Sequence, residues 1–197
     1  MKVAYVIFDG VTWLDFIGVY DAVSRLKSMG FVKDLSWDIC SLKDRASDNF
    51  GLTIVADNVG RPLDSYDAIF VPGGHGTRTL IQDEIFLNWI RSAAEVKLKM
   101  SVCTGSLILG AAGFLKSKKA TTNFLEYETL RPFCAEVIKE KLVVDGDVIT
   151  AGAVSSSLDL GLYLCEKWAG PEAREVIQQR MDYYPEKKEQ AKARSAT

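Results

Sequence analysis

The sequence has one histidine, His75, so any cysteine-histidine pair has a single possible base. Four cysteines (Cys40, Cys103, Cys134, Cys165) are scattered without C-x-x-C spacing, which indicates neither a zinc site nor a disulfide framework. A net charge of -2 leaves no electrostatic footprint for nucleic acid, and small molecules become the expected partners. No apolar run is long enough for a bilayer, and the N-terminus lacks the pattern of a signal peptide, so a cytoplasmic chain is expected. The full G-x-G-x-x-G of a dinucleotide site is missing, and nothing supports a nucleotide cofactor. Internal repeats, Gly/Ser linkers and low-complexity blocks are also absent. The expected organisation is therefore one domain over residues 1–185, followed by a charged tail over 186–197.

What is present is an alternation of short β-rich apolar runs with longer helical patterns, the signature of β-α-β units in a parallel sheet covered on both faces. Strands are predicted near 3–8, 36–42, 68–72, 100–102 and 148–150. Helices are predicted over 14–29, 77–96, 104–112, 123–130 and 154–168. Gly30, Gly113 and Gly170 fall just past three helices, where a left-handed cap is wanted. Asp145-Gly146 between apolar pairs predicts a hairpin, and residues 49–58 give a weaker signal for another.

Cys103 sits where a short apolar strand meets a small-residue helix, the position at which an α/β sheet presents a nucleophile. Amides of the first helical turn and the helix dipole favour the thiolate, so a depressed thiol pKa is expected. The alternative is a buried structural cysteine at a strand end. Cys40 and Cys165 have core-like settings, and Cys134 is less defined.

Asp15 follows the first strand, at the carboxyl edge where open α/β sheets place ligands. A carboxyl group there could hold a proton for the sulfur, or Thr12 and Asp15 could form a helix capping pair. Pro72-Gly73-Gly74-His75-Gly76 follows another strand. Gly74 and the Thr104 amide could supply an oxyanion pocket, or the glycines could serve only a tight turn. His75 could touch substrate there, or be an exposed turn residue.

These motifs together resemble the ThiJ/PfpI family within the class I glutamine-amidotransferase-like superfamily, most closely its isonitrile hydratase branch. The ordered parts are Thr12-x-Leu14-Asp15-x-x-Gly18, Pro72-Gly73-Gly74, Ser101-Val102-Cys103-Thr104-Gly105-Ser106, Gly110-Ala111-Ala112-Gly113, Lys119-Ala120-Thr121-Thr122 and Thr150-Ala151-Gly152. The resemblance implies a flavodoxin-like Rossmannoid three-layer α/β sandwich, usually a homodimer, without cofactor or metal. It further implies Cys103 as nucleophile, Asp15 as the acid touching it, and Thr104 as the residue beside it.

Two departures bear on function. Protease-like members carry histidine after the cysteine, where this chain has Thr104, so peptidase activity is not expected. Many members carry histidine after the Thr-Thr pair, where this chain has Asn123 followed by Phe124, an uncharged pocket wall that cannot titrate near neutrality. The leading expectation is a cofactor-independent lyase adding water to an isonitrile, with Gly74, His75 and Asn123 bordering an electrophilic small-molecule substrate. The alternatives are a glyoxalase- or deglycase-like enzyme acting on reactive aldehydes, and a non-enzymatic cysteine sensor of oxidation.

Overall fold

Val3, Ala4, Tyr5 and Val6 are all buried, so the first strand, β1 (Lys2–Val6), requires apolar cover on both faces. A computed structural model describes residues 1–184 and supplies that cover. The charged tail expected over 186–197 lies outside the described residues. After α1 (Trp13–Ser28) come β2 (Ser36–Ser41), β3 (Arg45–Ser47), β4 (Thr53–Val55), β5 (Asn58–Val59) and β6 (Ala68–Val71). Then follow α2 (Thr77–Leu80), α3 (Glu84–Arg91), β7 (Leu98–Val102), α4 (Gly105–Ala111), β8 (Lys119–Ala120), α5 (Tyr127–Leu130) and β9 (Glu136–Val137). The described chain closes with β10 (Leu142–Asp145), β11 (Val148–Ala151), α6 (Ser156–Ala169) and α7 (Pro171–Arg180).

The main sheet runs β10-β11-β7-β6-β1-β2-β5. All its pairings are parallel except β10 with β11. In-register contacts such as Val3 opposite Ala68 and Ala68 opposite Leu98 bring the ends of β1, β6 and β7 to one edge. Helices α1, α6 and α7 pack together, as do α2 to α5 around α4, forming the outer layers of an α/β sandwich.

The five predicted strands are present, shifted by one or two residues at their ends. The predicted helix over 77–96 is two helices, because the Asp83 side chain accepts from the Ile85 and Phe86 amides and starts α3 afresh. The one over 123–130 opens as a 3₁₀ turn (Phe124–Glu126) capped by Asn123 before α5. The Asp-Gly hairpin forms with Gly146-Asp147 as its loop, since Asp145 already pairs with Val148. The weaker hairpin begins earlier than expected, with β3 pairing β4. Gly30, Gly113 and Gly170 take φ of 81, 96 and 88°, as their places after helices require. Helix α7 was not predicted. Its signal was Pro171 after Gly170, a proline at a first helical position.

Candidate active site

Cys103 occupies the turn from β7 into α4 with φ of 54°, one of two non-glycine residues with positive φ among the described residues. For a residue with a β-carbon this conformation costs on the order of 1–3 kcal/mol and needs surrounding contacts to hold it. Those contacts are present. The Cys103 amide donates to the carbonyls of Ala151 (3.0 Å) and Gly152 (2.7 Å). Its carbonyl accepts from Thr122 Oγ1 (2.9 Å) and Ser106 Oγ (3.1 Å). Gly105 lets α4 start against the sheet, since a β-carbon there would lie 2.1 Å from the Val71 carbonyl oxygen.

The sulfur is nearly enclosed, with Cys103 6% exposed. Asn123 Nδ2 donates to Sγ at 3.3 Å, while Asn123 Oδ1 accepts from the Leu125 amide at 3.0 Å. That second bond fixes the amide so that its N–H groups face the sulfur. Burial pushes the Cys103 thiol up, and the Asp15 carboxylate pushes it the same way. The Asn123 side chain and the Thr104 amide and hydroxyl oppose them without prevailing. The expected depression of this pKa is therefore corrected: the helix-end amide does act on the sulfur, but desolvation and a neighbouring acid outweigh it.

Asp15 is fully buried in α1. Oδ2 accepts from the Gly73 amide at 2.9 Å, and Oδ1 has no hydrogen-bond partner among the described residues. Desolvation raises its pKa to about 7, against the pull of the Gly73 amide and the adjacent Cys103 thiol. The capping alternative is not realised, because Thr12 makes no side-chain cap bond and the Asp15 carboxyl points at Gly73. Gly73 is the hub of the arrangement. A β-carbon on it would lie 2.6 Å from the Thr104 amide nitrogen, 2.8 Å from Asp15 Oδ2 and 2.8 Å from Cys103 Cβ.

Gly74 differs from expectation. Its amide donates to Thr104 Oγ1 (3.0 Å), and its carbonyl accepts from the same hydroxyl (3.2 Å). The Gly74 amide is thus committed to Thr104, and the loop's amides hold side chains where a free oxyanion donor was expected. His75 lies on the same loop but is exposed, and its ring hydrogen-bonds to none of the described residues. The structure brings Cys103, Asp15, Thr104, Gly74 and Asn123 together and leaves His75 at the surface.

Sequence reasoning did not single out Thr122, Ser106 or Gly73 as supports of the elbow. All three lie within the family-like motifs, but nothing in spacing says which carbonyl or amide a side chain will meet. The other cysteines are elsewhere. Cys40 contacts the Tyr66 hydroxyl, Cys165 the Ala22 carbonyl, and Cys134 the Leu130 carbonyl. Among the described residues no group of three or more His, Cys, Asp or Glu is placed to hold a metal ion.

A mostly parallel sheet under helices on both faces, with a cysteine on a strained strand-to-helix turn, defines an α/β protein of the nucleophile-elbow type. The DJ-1/PfpI family profile matches residues 1–167, and the chain belongs to that family. It is 33% identical over 187 residues to the isonitrile hydratase of Pseudomonas putida, covering 94% of this chain and 79% of that protein. A ThiJ/PfpI family protein from Pseudomonas syringae superimposes with a TM-score of 0.85 at 29% identity, covering 95% of this chain and 76% of that one. Drosophila melanogaster DJ-1beta shares the fold, with a TM-score of 0.79 at 18% identity, covering 93% of this chain and 98% of that chain. No helix among the described residues is long and apolar enough to cross a membrane.

Proposed function

We propose that the protein is a cofactor-independent, cysteine-dependent lyase that adds water to an isonitrile, giving an N-substituted formamide. The observation that carries this reading is the buried Asp15 carboxyl, held by Gly73 on one oxygen, without a partner among the described residues on the other, and shifted to about 7 beside Cys103. Hydration of an isonitrile needs a nucleophile for the terminal carbon and a nearby proton for that same carbon. A thiol and a carboxyl that share one proton provide both.

The sequence of bonds follows from that pair. As Cys103 Sγ bonds the terminal carbon, the shared proton passes through Asp15 to that carbon, leaving the thioimidate R–N=CH–S–Cys103. Asp15, now ionised, takes a proton from water as its oxygen adds to the carbon, and the nitrogen is protonated in turn. Collapse of R–NH–CH(OH)–S–Cys103 breaks the C–S bond, releases R–NH–CHO and returns one proton to the Cys103–Asp15 pair. Asn123 Nδ2 steadies the departing sulfur, and Thr104 fixes the Gly74 segment against the reacting carbon.

The identity to isonitrile hydratase over most of the chain supports the same substrate class. An oxidation sensor is less well supported, since it relies on an exposed thiolate of low pKa and Cys103 is enclosed with its pKa raised. Incubation with cyclohexyl isocyanide should release N-cyclohexylformamide. Formation no faster than with Cys103→Ala removes the proposal, and lactate from methylglyoxal in its place would favour the aldehyde chemistry.

A further inference from the structure

On the far side of the loop that carries Gly73 and Gly74 lies a cavity of about 320 Å³. It opens past the carboxyl ends of β1 and β2, beneath α2 and α3, and Cys103, Asp15 and Asn123 do not line it. Its size falls at the lower end of small-ligand sites. The floor is apolar, made by Ile7, Leu42, Leu80 and Phe86.

The rim carries three charges: Asp9, Lys43 and Asp83. Lys43 Nζ is 2.6 Å from Asp9 Oδ2, and Asp9 Oδ1 accepts from the Ser47 amide, so that carboxylate is fully engaged. Asp83 uses Oδ1 to cap α3, accepting from the Ile85 and Phe86 amides. Among the described residues no donor reaches its Oδ2. One cation against two carboxylates leaves the rim at -1, and the exposed Asp83 keeps one carboxylate oxygen without a donor among the described residues.

The wall between this cavity and the cysteine site is a pair of zipped loops. Val11 bridges Gly74, and the Gly76 amide donates to the Gly10 carbonyl at 3.1 Å. The approach is too close for side chains, since a β-carbon on Gly76 would lie 2.1 Å from the Asp9 carbonyl oxygen. One face of the wall holds Asp15 and Thr104, and the other bounds the cavity.

We propose that this cavity is a second small-molecule site, separate from the cysteine site, that takes a primary amine with a compact apolar body. The ammonium group meets Asp83 Oδ2 at the rim, and the apolar body fills the floor over Phe86 and Leu80. Charge complementarity selects the amine, because a carboxylate of the same shape faces two acidic side chains and a lysine already paired.

Calorimetric titration of the full chain at neutral pH with benzylamine, benzyl alcohol and phenylacetate tests this. Saturable benzylamine binding, at least about fivefold tighter than that of either analogue, is expected. Asp83→Asn keeps the cap, since asparagine caps helices as well as aspartate does, and should weaken benzylamine about fivefold or more. Lys43→Gln frees Asp9 and should tighten it. Cys103→Ala should leave it unchanged. The absence of saturable benzylamine binding to the unaltered chain overturns the proposal, as does tighter binding of phenylacetate or loss of benzylamine binding in Cys103→Ala.

Discussion

Two buried cysteines sit in opposite parts of this molecule. Cys165 lies in the seam between α1 and α6, where small residues let the helices approach: a β-carbon on Gly161 would come 2.7 Å from Ala22 Cβ. Among the described residues its sulfur hydrogen-bonds to the Ala22 carbonyl alone, and burial pushes its thiol up to about 12. Cys103 lies at the elbow, where glycines again permit close approach, but the atoms brought close are polar. Its thiol is also pushed up, yet Asn123 and Thr104 donate to the sulfur and a carboxyl of raised pKa lies beside it. Both sulfurs are desolvated. Reactivity depends on whether donors and a proton store were brought in with the sulfur.

The largest expected effect separates the cysteines outright. Cys103→Ala should reduce turnover to background, while Cys165→Ala leaves the rate within about twofold and costs on the order of 1 kcal/mol in stability, read by urea denaturation. Comparable turnover by both variants would erase the contrast.

Asp15→Asn tests the proton store. It should lower kcat/KM about 10²- to 10⁴-fold. It should also stabilise the protein at alkaline pH. A carboxyl whose folded pKa is raised contributes fully below its unfolded value near 4 and loses that contribution as pH rises through about 7, where it ionises in a buried site. Relative to the unaltered chain, Asp15→Asn should therefore gain on the order of 2 kcal/mol or more between pH 4 and pH 8. An equal stability difference at both pH values would mean that Asp15 is not shifted.

The same titration governs the rate. Chemistry that needs one proton on the Cys103–Asp15 pair should show kcat/KM rising with pH through about 7 and falling again above the ordinary thiol range. A flat profile across pH 6–8 would break the assignment.

Two glycine variants compare the close approaches directly. Gly73→Ala forces apart Asp15, Cys103 and the Thr104 amide, and should cost about 10- to 100-fold in kcat. Gly161→Ala should cost about 1–3 kcal/mol in stability with little change in kcat. The smallest effect is expected from Asn123→Ala. Loss of the Nδ2 donor should raise the pH midpoint of Cys103 alkylation by iodoacetamide, while that of Cys134, whose sulfur does not hydrogen-bond to Asn123, stays fixed.

The strands were legible because β1 after Lys2 and β6 are short apolar runs with no polar face, a pattern that suits a sheet covered on both sides, whereas β7 is as short but buries Lys99 and Ser101 on one face. The elbow was legible from Cys103 between such a run and a small-residue helix. The break at Asp83 was less so, since apolar spacing continues through it and only the side-chain cap restarts the helix. The direction of the Cys103 shift was not legible. A helix end next to a cysteine is visible in sequence, whereas the amount of water removed from it is not.

By itself the sequence determined the alternation of strands and helices, the place of the cysteine at a strand end and the lack of an adjacent histidine, because these depend on residue type and local spacing. Tertiary structure alone decided that Gly73 hands its amide to Asp15, that Gly74 spends its own on Thr104, and that His75 faces outward. Those outcomes depend on which groups meet across parallel strands tens of residues apart, and on how completely the meeting excludes water.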